Sequence, residues 1–167
     1  METTKNTTIV NEKPILIQRS FELPVTEVWK AWTEPESFKK WWGPKEYTCP
    51  ECRIDFKEGG KLFACMKDKK DGKMTWSTGI YREIIPYKKI VVTDSFSDRD
   101  GNIISAAQAG MPGNFPEESL ITVEFEEHYG KTNLTLKHEG LPAELHDDCR
   151  TGWNSSLDKI EKMQIIP

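Results

Sequence analysis

The longest helical pattern of hydrophobic and polar residues in the chain lies near its end, over residues 142–164. Apolar residues recur there every three or four positions, which places them on one side of a helix. Proline suits the first turn of a helix, and acidic side chains stabilise the positive end of its dipole. The apolar stripe is Leu145, Cys149, Trp153, Leu157 and Ile160, and the first turns hold Pro142, Glu144, Asp147 and Asp148. The pattern predicts a long C-terminal helix with a single buried face.

A second line of small side chains runs beside this stripe and consists of Cys149, Gly152 and Ser156. Glycine inside a helix costs about 1 kcal/mol relative to alanine, so an internal glycine usually has a packing or functional reason. One explanation is that the helix approaches a strand closely at this point. The other is that small side chains facing a curved sheet leave space for a ligand. The sequence leaves both explanations open.

Much of the chain before this helix alternates between apolar and polar residues, which is typical of strands joined by tight turns. Turn signals occur at Gly59-Gly60, Asp71-Gly72 and Tyr129-Gly130. The predicted strands are 14–21, 49–57, 62–67, 74–85, 89–96, 120–127 and 132–138. About seven strands in this order predict an antiparallel sheet. Such a sheet curls, and the long helix is the element able to cover its concave face, so the predicted fold class is α+β.

Two short helices are predicted between the first two strands. Pro24 opens the first, in which apolar residues keep helical spacing through Trp32. Residues 33–36 (TEPE) have the form of a capping box, with threonine at the cap and glutamate three positions later. We expect this box to begin a second short helix that covers residues 38–42 and ends at Gly43-Pro44.

The exception to short turns is residues 98–118, a connection of about twenty residues between two predicted strands. Loops of this length are uncommon in compact domains and often form lids or binding loops. Ile103, Ile104, Met111 and Phe115 supply apolar side chains that could cover an opening. A solvated insertion without a role is equally compatible with the sequence.

The composition is that of an ordinary globular domain, with 167 residues, 37% hydrophobic and 30% charged. The net charge of −4 argues against a nucleic-acid-binding protein, which normally shows a basic face. No apolar run approaches membrane-spanning length, and the first residues lack the layout of a signal peptide. We therefore expect a cytoplasmic monomer without membrane association, with reduced cysteines. A single domain over 13–167 would follow a loosely ordered segment, 1–12.

No catalytic or metal-binding constellation stands out. His138 could act as a general base only if it points inward, whereas a solvated or structural histidine is the ordinary outcome. The adjacent residues 146–148 (HDD) diverge by about 100° per position on a helix, so they do not readily converge on one ion. Residues 49–52 (CPEC) form a single CxxC motif at the start of a strand, with Cys65 on the next. Plain packing of these thiols is therefore favoured over a redox or zinc site.

Short motifs recur from the first strand to the last helix. They are 19–21 (RSF), 28–36 (VWKAWTEPE), 41–44 (WWGP), 55–60 (DFKEGG), 79–84 (GIYREI), 92–94 (VTD), 110–112 (GMP), 123–127 (VEFEE), 131–136 (KTNLTL) and 152–159 (GWNSSLDK). As a set, over residues 15–163, they resemble the SRPBCC superfamily with its helix-grip fold. More narrowly, the chain resembles the family named after the C-terminal domain of the heat-shock-protein-90 ATPase activator.

This resemblance implies an antiparallel sheet that grips the C-terminal helix, with an apolar cavity between them. Members of the superfamily bind lipids, hormones or polyketides. We therefore expect this chain to bind a small hydrophobic or aromatic ligand, such as a lipid, a flavonoid or a polyketide-like compound, without a cofactor or a metal. By position, the expected ligand-binding residues are Phe38, Trp41, Trp76, Tyr81, Met111, Phe115, Cys149, Trp153 and Ser156. For each aromatic residue, ordinary core packing is the competing interpretation.

Two other functions stay open. The first is a co-chaperone role like that of the eukaryotic activator. In that activator, stimulation of the chaperone depends largely on a separate N-terminal domain, which has no counterpart in this sequence. A cyclase- or hydrolase-type enzyme acting on a polyketide-like ligand would need polar groups within about 3 Å of a common point in the cavity. A protein-interaction role would instead show a large exposed apolar patch.

Overall fold

The computed structural model describes residues 13–163. The predicted loose segment 1–12 and the last predicted helical residue, Gln164, lie outside that range. The strands are β1 (Ile15–Phe21), β2 (Tyr47–Thr48), β3 (Cys52–Ile54), β4 (Lys61–Asp68), β5 (Met74–Ile85), β6 (Lys89–Ser97), β7 (Ser119–His128) and β8 (Lys131–Glu139). The helices are α1 (Val25–Thr33), α2 (Pro35–Phe38) and α3 (His146–Met163), and a 3-10 turn at Ala143–Leu145 precedes α3.

The strands of the described range form one antiparallel sheet in the order β1-β8-β7-β6-β5-β4-β2, and β3 pairs with β4 beside β2. The sheet curls around α3, whose Leu157 and Ile160 are fully buried. The predicted α+β helix-grip fold is therefore confirmed. Within residues 13–163, no helix is long and apolar enough to cross a membrane.

The predicted strand over 49–57 is wrong in its extent. The chain instead forms the two short strands β2 and β3, each paired with β4. Proline has no backbone N–H to offer a strand ladder, so Pro50 interrupts the pairing between them. The described sheet consequently has eight strands rather than about seven.

The predicted capping box at residues 33–36 is also wrong. The helix cap of α2 is Glu34, whose side chain makes no capping hydrogen bond. The Thr33 hydroxyl instead donates to the Trp29 carbonyl one turn back, at 2.9 Å. Thr33 is still helical as the last residue of α1, so its hydroxyl meets a carbonyl of its own helix before it can reach the next one. The predicted helix over 38–42 is wrong as well, because α2 ends at Phe38 and a turn occupies residues 39–41.

Strands β5 and β6 approach each other closely at Gly79, ahead of a shift in their register between Tyr81 and Glu83. A Cβ atom on Gly79 would lie 2.0 Å from the Thr93 carbonyl oxygen, so the two strands approach too closely for any side chain there. The Ile80 N–H donates to the Thr93 hydroxyl at 2.8 Å instead of to a backbone carbonyl. The neighbouring strand residue, Asp94, therefore lies at a local break in the regular ladder.

Candidate functional site

A cavity of about 280 Å³ lies between the concave face of the sheet and α3, and we call it the main cavity. Each strand from β4 to β8 contributes at least one side chain to it, including Ser77, Asp94 and Phe96. Helix α3 supplies a second wall and the 98–118 loop supplies a third. The cavity is open to solvent on one side, so a small molecule can reach it.

The helical wall contains the line of small residues that the sequence singled out. Cys149, Gly152 and Ser156 all border the main cavity, together with Trp153. A Cβ atom on Gly152 would meet Pro44 Cγ at 3.6 Å, an ordinary van der Waals contact. Close approach to a strand therefore does not explain the glycine, and the small side chains leave open space along the helix.

The long loop closes one side of the main cavity. Met111 and Phe115 border it, and the Phe115 ring packs edge-on against Phe96 of β6 with centroids 5.1 Å apart. On the helical side, a Cβ atom on Gly113 would lie 2.8 Å from Leu145 Cδ2, so the loop also touches the turn that precedes α3. The loop is thus packed against both the sheet and the helix rather than projecting into solvent.

A chain of hydrogen bonds runs across the cavity wall from α3 to β6. Trp153 Nε1 donates to His138 Nδ1 at 3.0 Å, and His138 Nε2 lies 2.8 Å from Ser119 Oγ. An indole N–H can only donate, so Nδ1 must be the acceptor and the proton of the neutral imidazole is on Nε2. His138 therefore donates to Ser119, whose hydroxyl donates to the Asp94 backbone carbonyl at 3.4 Å.

This arrangement keeps His138 neutral. Burial, and to a smaller extent the nearby His146, lowers the pKa of its imidazole to about 4. Since Nδ1 already accepts from the indole and Nε2 carries the proton, His138 has no free lone pair with which to deprotonate Ser119. The Ser119–His138 pair is a structural link between strands and helix, although its distance resembles that of a catalytic pair.

Asp94 is the acidic group that β6 places on the floor of the main cavity. Burial raises the pKa of its carboxyl to about 6. Within the described residues, no hydrogen bond reaches that carboxyl, since desolvation alone accounts for the shift. A carboxyl in this setting can pair with a cation or exchange a proton with a bound molecule.

Asp94 is not among the residues predicted from the sequence to bind ligand, although the sequence contains a signal for it. Ile90 and Val92 are buried on the concave face of β6, and strict alternation continues to Asp94 and Phe96. An acidic residue in an otherwise apolar series of this kind indicates a carboxyl on the concave face of the sheet.

Five of the nine residues expected to bind ligand border the main cavity. They are Met111, Phe115, Cys149, Trp153 and Ser156. The other four, Phe38, Trp41, Trp76 and Tyr81, lie outside its lining.

Phe38 and Trp41 belong to the core beneath the short helices. Trp41 is fully buried, and its Nε1 donates to the Ala31 carbonyl at 2.6 Å. The Phe38 ring packs edge-on against Trp41, with centroids 5.3 Å apart. Both rings fix α1 against the chain that follows α2, and that packing turns them away from the main cavity.

Trp76 and Tyr81 lie five positions apart on β5, so they face opposite sides of a regular strand. Trp76 lies between two cavity-lining residues and therefore faces the convex side, where it stacks on Phe63 at 5.2 Å. Tyr81 faces inward but packs edge-on against Phe56 at 5.0 Å. Its hydroxyl is buried without a hydrogen-bond partner in the described structure, and burial raises its pKa.

The cysteines of the CxxC motif are free thiols with protonated sulfur. Burial raises the pKa of Cys49 to about 12 and that of Cys52 to about 11. Their Sγ atoms donate weakly to the carbonyls of Glu51 and Pro35, each at 3.4 Å. Among residues 13–163, no group of three or more His, Cys, Asp or Glu side chains could hold a metal ion.

Solved structures share this fold. Protein CV1439 from Chromobacterium violaceum is 24% identical, with a TM-score of 0.74 over 90% of this chain and 96% of that one. The AHSA1 protein from Silicibacter pomeroyi is 21% identical, with a TM-score of 0.73 and the same coverage. CalU16 from Micromonospora echinospora is 21% identical, with a TM-score of 0.61 over 92% of this chain and 76% of that one.

No curated protein matches the sequence. The family model described as "Activator of Hsp90 ATPase homolog 1-like protein" matches residues 22–164, which is most of the chain. That match agrees with the curled sheet, the long C-terminal helix and the similar solved structures. The chain therefore belongs to the Activator of Hsp90 ATPase homolog 1-like family.

Proposed function

We propose that the protein binds a small hydrophobic or aromatic ligand in the main cavity. The observation that carries this proposal is the open space of about 280 Å³ between the sheet and α3. Protein interiors are normally close-packed, and voids larger than a water molecule are few, so this space is not expected from folding alone. A partly open, mostly apolar cavity with a few polar groups is the usual form of a small-molecule site.

The dimensions limit the ligand. Sites for drug-sized molecules commonly measure about 300–1,000 Å³, so the main cavity suits a compact ligand of two or three rings, or a short acyl chain. Trp153 and Phe115 offer aromatic surface from opposite walls, and Met111 offers a flexible apolar side chain from the loop. Ligand contacts to these residues, to Cys149 and to Ser156 are part of the proposal.

An NMR titration tests the proposal directly. Naphthalene derivatives, flavonoids and short-chain lipids are added to the folded protein while backbone amide and indole signals are recorded. We expect saturable shifts at Gly152, Ser156 and the Trp153 indole. The Trp76 indole is an internal control, because it lies on the convex face of the same sheet. Equal shifts at Trp76 and Trp153, or no saturable shift with any compound, would contradict the proposal.

A matched pair of variants separates binding in the main cavity from binding elsewhere. Gly152→Leu places a large side chain in the space beside α3, and we expect it to weaken binding at least about tenfold. Gly152→Ala adds one methyl group that the structure accommodates, and we expect binding within about twofold of the original protein. Equal binding by both variants would place the ligand outside the main cavity.

Chaperone activation, which the family description names, is a competing function. A docking surface for a large protein normally presents a contiguous apolar patch. Here the exposed large apolar side chains come from four separate segments: β1, the turn after β5, the 98–118 loop and the turn after β7. The proposal for a ligand therefore takes precedence. An increase in ATP turnover by a purified heat-shock-protein-90 chaperone on adding this protein would reverse that order.

A further inference from the structure

We propose that the main cavity selects ligands in which a protonated amine is attached to the apolar or aromatic body, with the Asp94 carboxylate as the counter-ion. This inference rests on the proposed function, because it names the chemical class of ligand for the same cavity. It goes further in excluding fatty acids and other anionic ligands, which share the apolar body but carry the opposite charge.

Asp94 lies at the deep side of the main cavity. A second void of about 10 Å³, which we call the inner chamber, borders the main cavity and shares Trp42, Ser77 and Asp94 with it. The remaining wall of the inner chamber includes the buried residues Tyr81 and Val92 of the protein core. Asp94 therefore lies where the main cavity meets the inner chamber and the core.

The charged side chains that line the main cavity favour a cation. Asp94 and Asp148 border it, and no lysine or arginine does so among the described residues. His138, the basic side chain on the wall, stays neutral because burial lowers its pKa to about 4. The negative charges also affect the Cys149 thiol. Its pKa is raised mainly by burial and, to a smaller extent, by Asp148 and Asp94. Among the described residues that line the cavity, an anionic ligand would meet two carboxylates and no cationic side chain. Lys159 and Lys73 are not part of the lining, and their ammonium groups donate to the carbonyls of Pro44 and Gly110.

Among residues 13–163, the carboxyl of Asp94 also has no hydrogen-bond partner or ion-pair partner. A carboxylate out of bulk water is costly unless it is paired, and here desolvation is what raises its pKa. An ammonium group on the ligand would supply both the charge and the N–H donors that the described residues do not provide. A neutral hydroxyl would supply a donor but leave the negative charge uncompensated.

The aromatic residues on the wall add to this preference. Trp42 and Trp153 border the main cavity and pack edge-on, with ring centroids 5.7 Å apart. Phe96 and Phe115 form a second edge-on pair beside Asp94, at 5.1 Å. The faces of aromatic rings attract cations, most strongly for tryptophan and where water is excluded. A ring-lined cavity with a carboxylate at its floor thus fits an aromatic or aliphatic amine.

Three probes of one shape and different charge test the inference. Naphthylmethylamine, naphthylmethanol and naphthoate are titrated calorimetrically at about pH 7.5, where Asp94 is ionised. We expect the amine to bind at least about tenfold more tightly than the alcohol, and the carboxylate to bind most weakly. In Asp94→Asn, the amine and the alcohol should bind within about threefold of each other. Asp147→Asn, on the exposed surface of α3 and outside the cavity lining, is the control and should retain the preference.

Acidification provides a second measurement that needs no variant. The titratable groups on the cavity wall are Asp94 on β6, His138 on β8, and Asp148 and Cys149 on α3. Of these, Asp94 has a pKa of about 6 and gains its proton as the pH falls from about 7.5 to about 5. We expect amine affinity to fall about tenfold over that interval, while alcohol affinity stays constant.

The outcomes separate this inference from the proposed function. Equal affinities for the amine and the alcohol, or an amine preference that persists in Asp94→Asn, overturn the inference and leave ligand binding intact. If none of the three probes and none of the flavonoids and short-chain lipids of the NMR titration binds to the folded protein, both proposals fail. If Asp94→Asn does not fold, the pH series decides: an amine affinity that stays constant between about pH 7.5 and about pH 5 overturns the inference.

Discussion

Trp153 Nε1 donates a hydrogen bond of 3.0 Å to Nδ1 of His138, and this contact joins the middle of α3 to the end of β8. It determines the tautomer of the imidazole, so that His138 Nε2 donates to Ser119 on β7. Three elements of the cavity wall are thus held by one aligned set of donors and acceptors. The same hydrogen bond occupies the Nδ1 lone pair that His138 would need to act as a general base.

Trp153→Phe should therefore change both stability and the titration of His138. The ring body is retained, but Nδ1 loses its donor, so we expect a loss of about 1–2 kcal/mol in the free energy of unfolding. We also expect the pKa of His138 to rise, because the freed Nδ1 can then accept a proton. Chemical denaturation and histidine NMR measure the two effects. Trp76→Phe, on the convex face, is the control and should leave the His138 titration unchanged.

Asp94 and His138 should give opposite dependences of stability on pH. The pKa of Asp94 is raised to about 6, so its contribution to stability declines as the pH rises from about 4 to about 6. The pKa of His138 is lowered to about 4, so its contribution is complete above about pH 6.5 and is lost as the pH falls toward 4. Each group changes the free energy of unfolding by up to about 1.4 kcal/mol per pH unit. Between about pH 4.5 and 6 the two nearly cancel.

Asp94→Asn removes one of these opposing contributions. We expect its free energy of unfolding, measured with urea at a series of pH values, to fall relative to the original protein as the pH decreases below about 6. At about pH 7.5 the variant should be more stable than the original by about 2–3 kcal/mol, because a desolvated charge is replaced by a neutral amide. An identical pH profile for both proteins would show that Asp94 is not desolvated.

Two Gly→Ala substitutions should have effects of opposite sign. Gly152→Ala adds helix propensity in α3 and meets Pro44 only at 3.6 Å, so we expect stabilisation by about 1 kcal/mol. Gly79→Ala places a Cβ atom 2.0 Å from the Thr93 carbonyl oxygen, so β5 and β6 must separate, at a cost of about 1–3 kcal/mol. Thermal and chemical unfolding measure both. Destabilisation by Gly152→Ala would contradict the open helical wall.

The thiols of the CxxC motif should react slowly in the folded protein. With pKa values of about 12 and 11, Cys49 and Cys52 carry little thiolate at about pH 8. We expect alkylation by iodoacetamide to be at least tenfold slower than in the urea-unfolded protein, with mass spectrometry locating the modified residues. Rapid modification of both cysteines in the native protein would instead indicate an activated pair.

The local pattern of apolar and polar residues was sufficient to predict the long helix, the main strands and the fold class. Period-two alternation and glycine-containing turns predicted the main strands, and the apolar stripe on residues 142–164 predicted the long helix. These signals depend on which face of an element is buried, and neighbouring residues determine that directly. Two of the errors have local causes. Pro50 has no N–H for the strand ladder and interrupts the strand predicted over 49–57, and the Thr33 hydroxyl donates back to its own helix rather than capping the next one.

The position and the lining of the main cavity depend on the tertiary structure. The alternation along β5 predicts that Trp76 and Tyr81 lie on opposite faces of the sheet. Which of these faces packs against the helix depends on the direction in which the sheet curls. The carboxyl of Asp94 acquires its raised pKa because it is partly desolvated in the space between the sheet, α3 and the 98–118 loop. Likewise, the hydrogen bond between Trp153 and His138 joins residues from separate elements. Periodicity along the sequence records which residues are buried, whereas desolvation and empty volume depend on how separate elements pack in space.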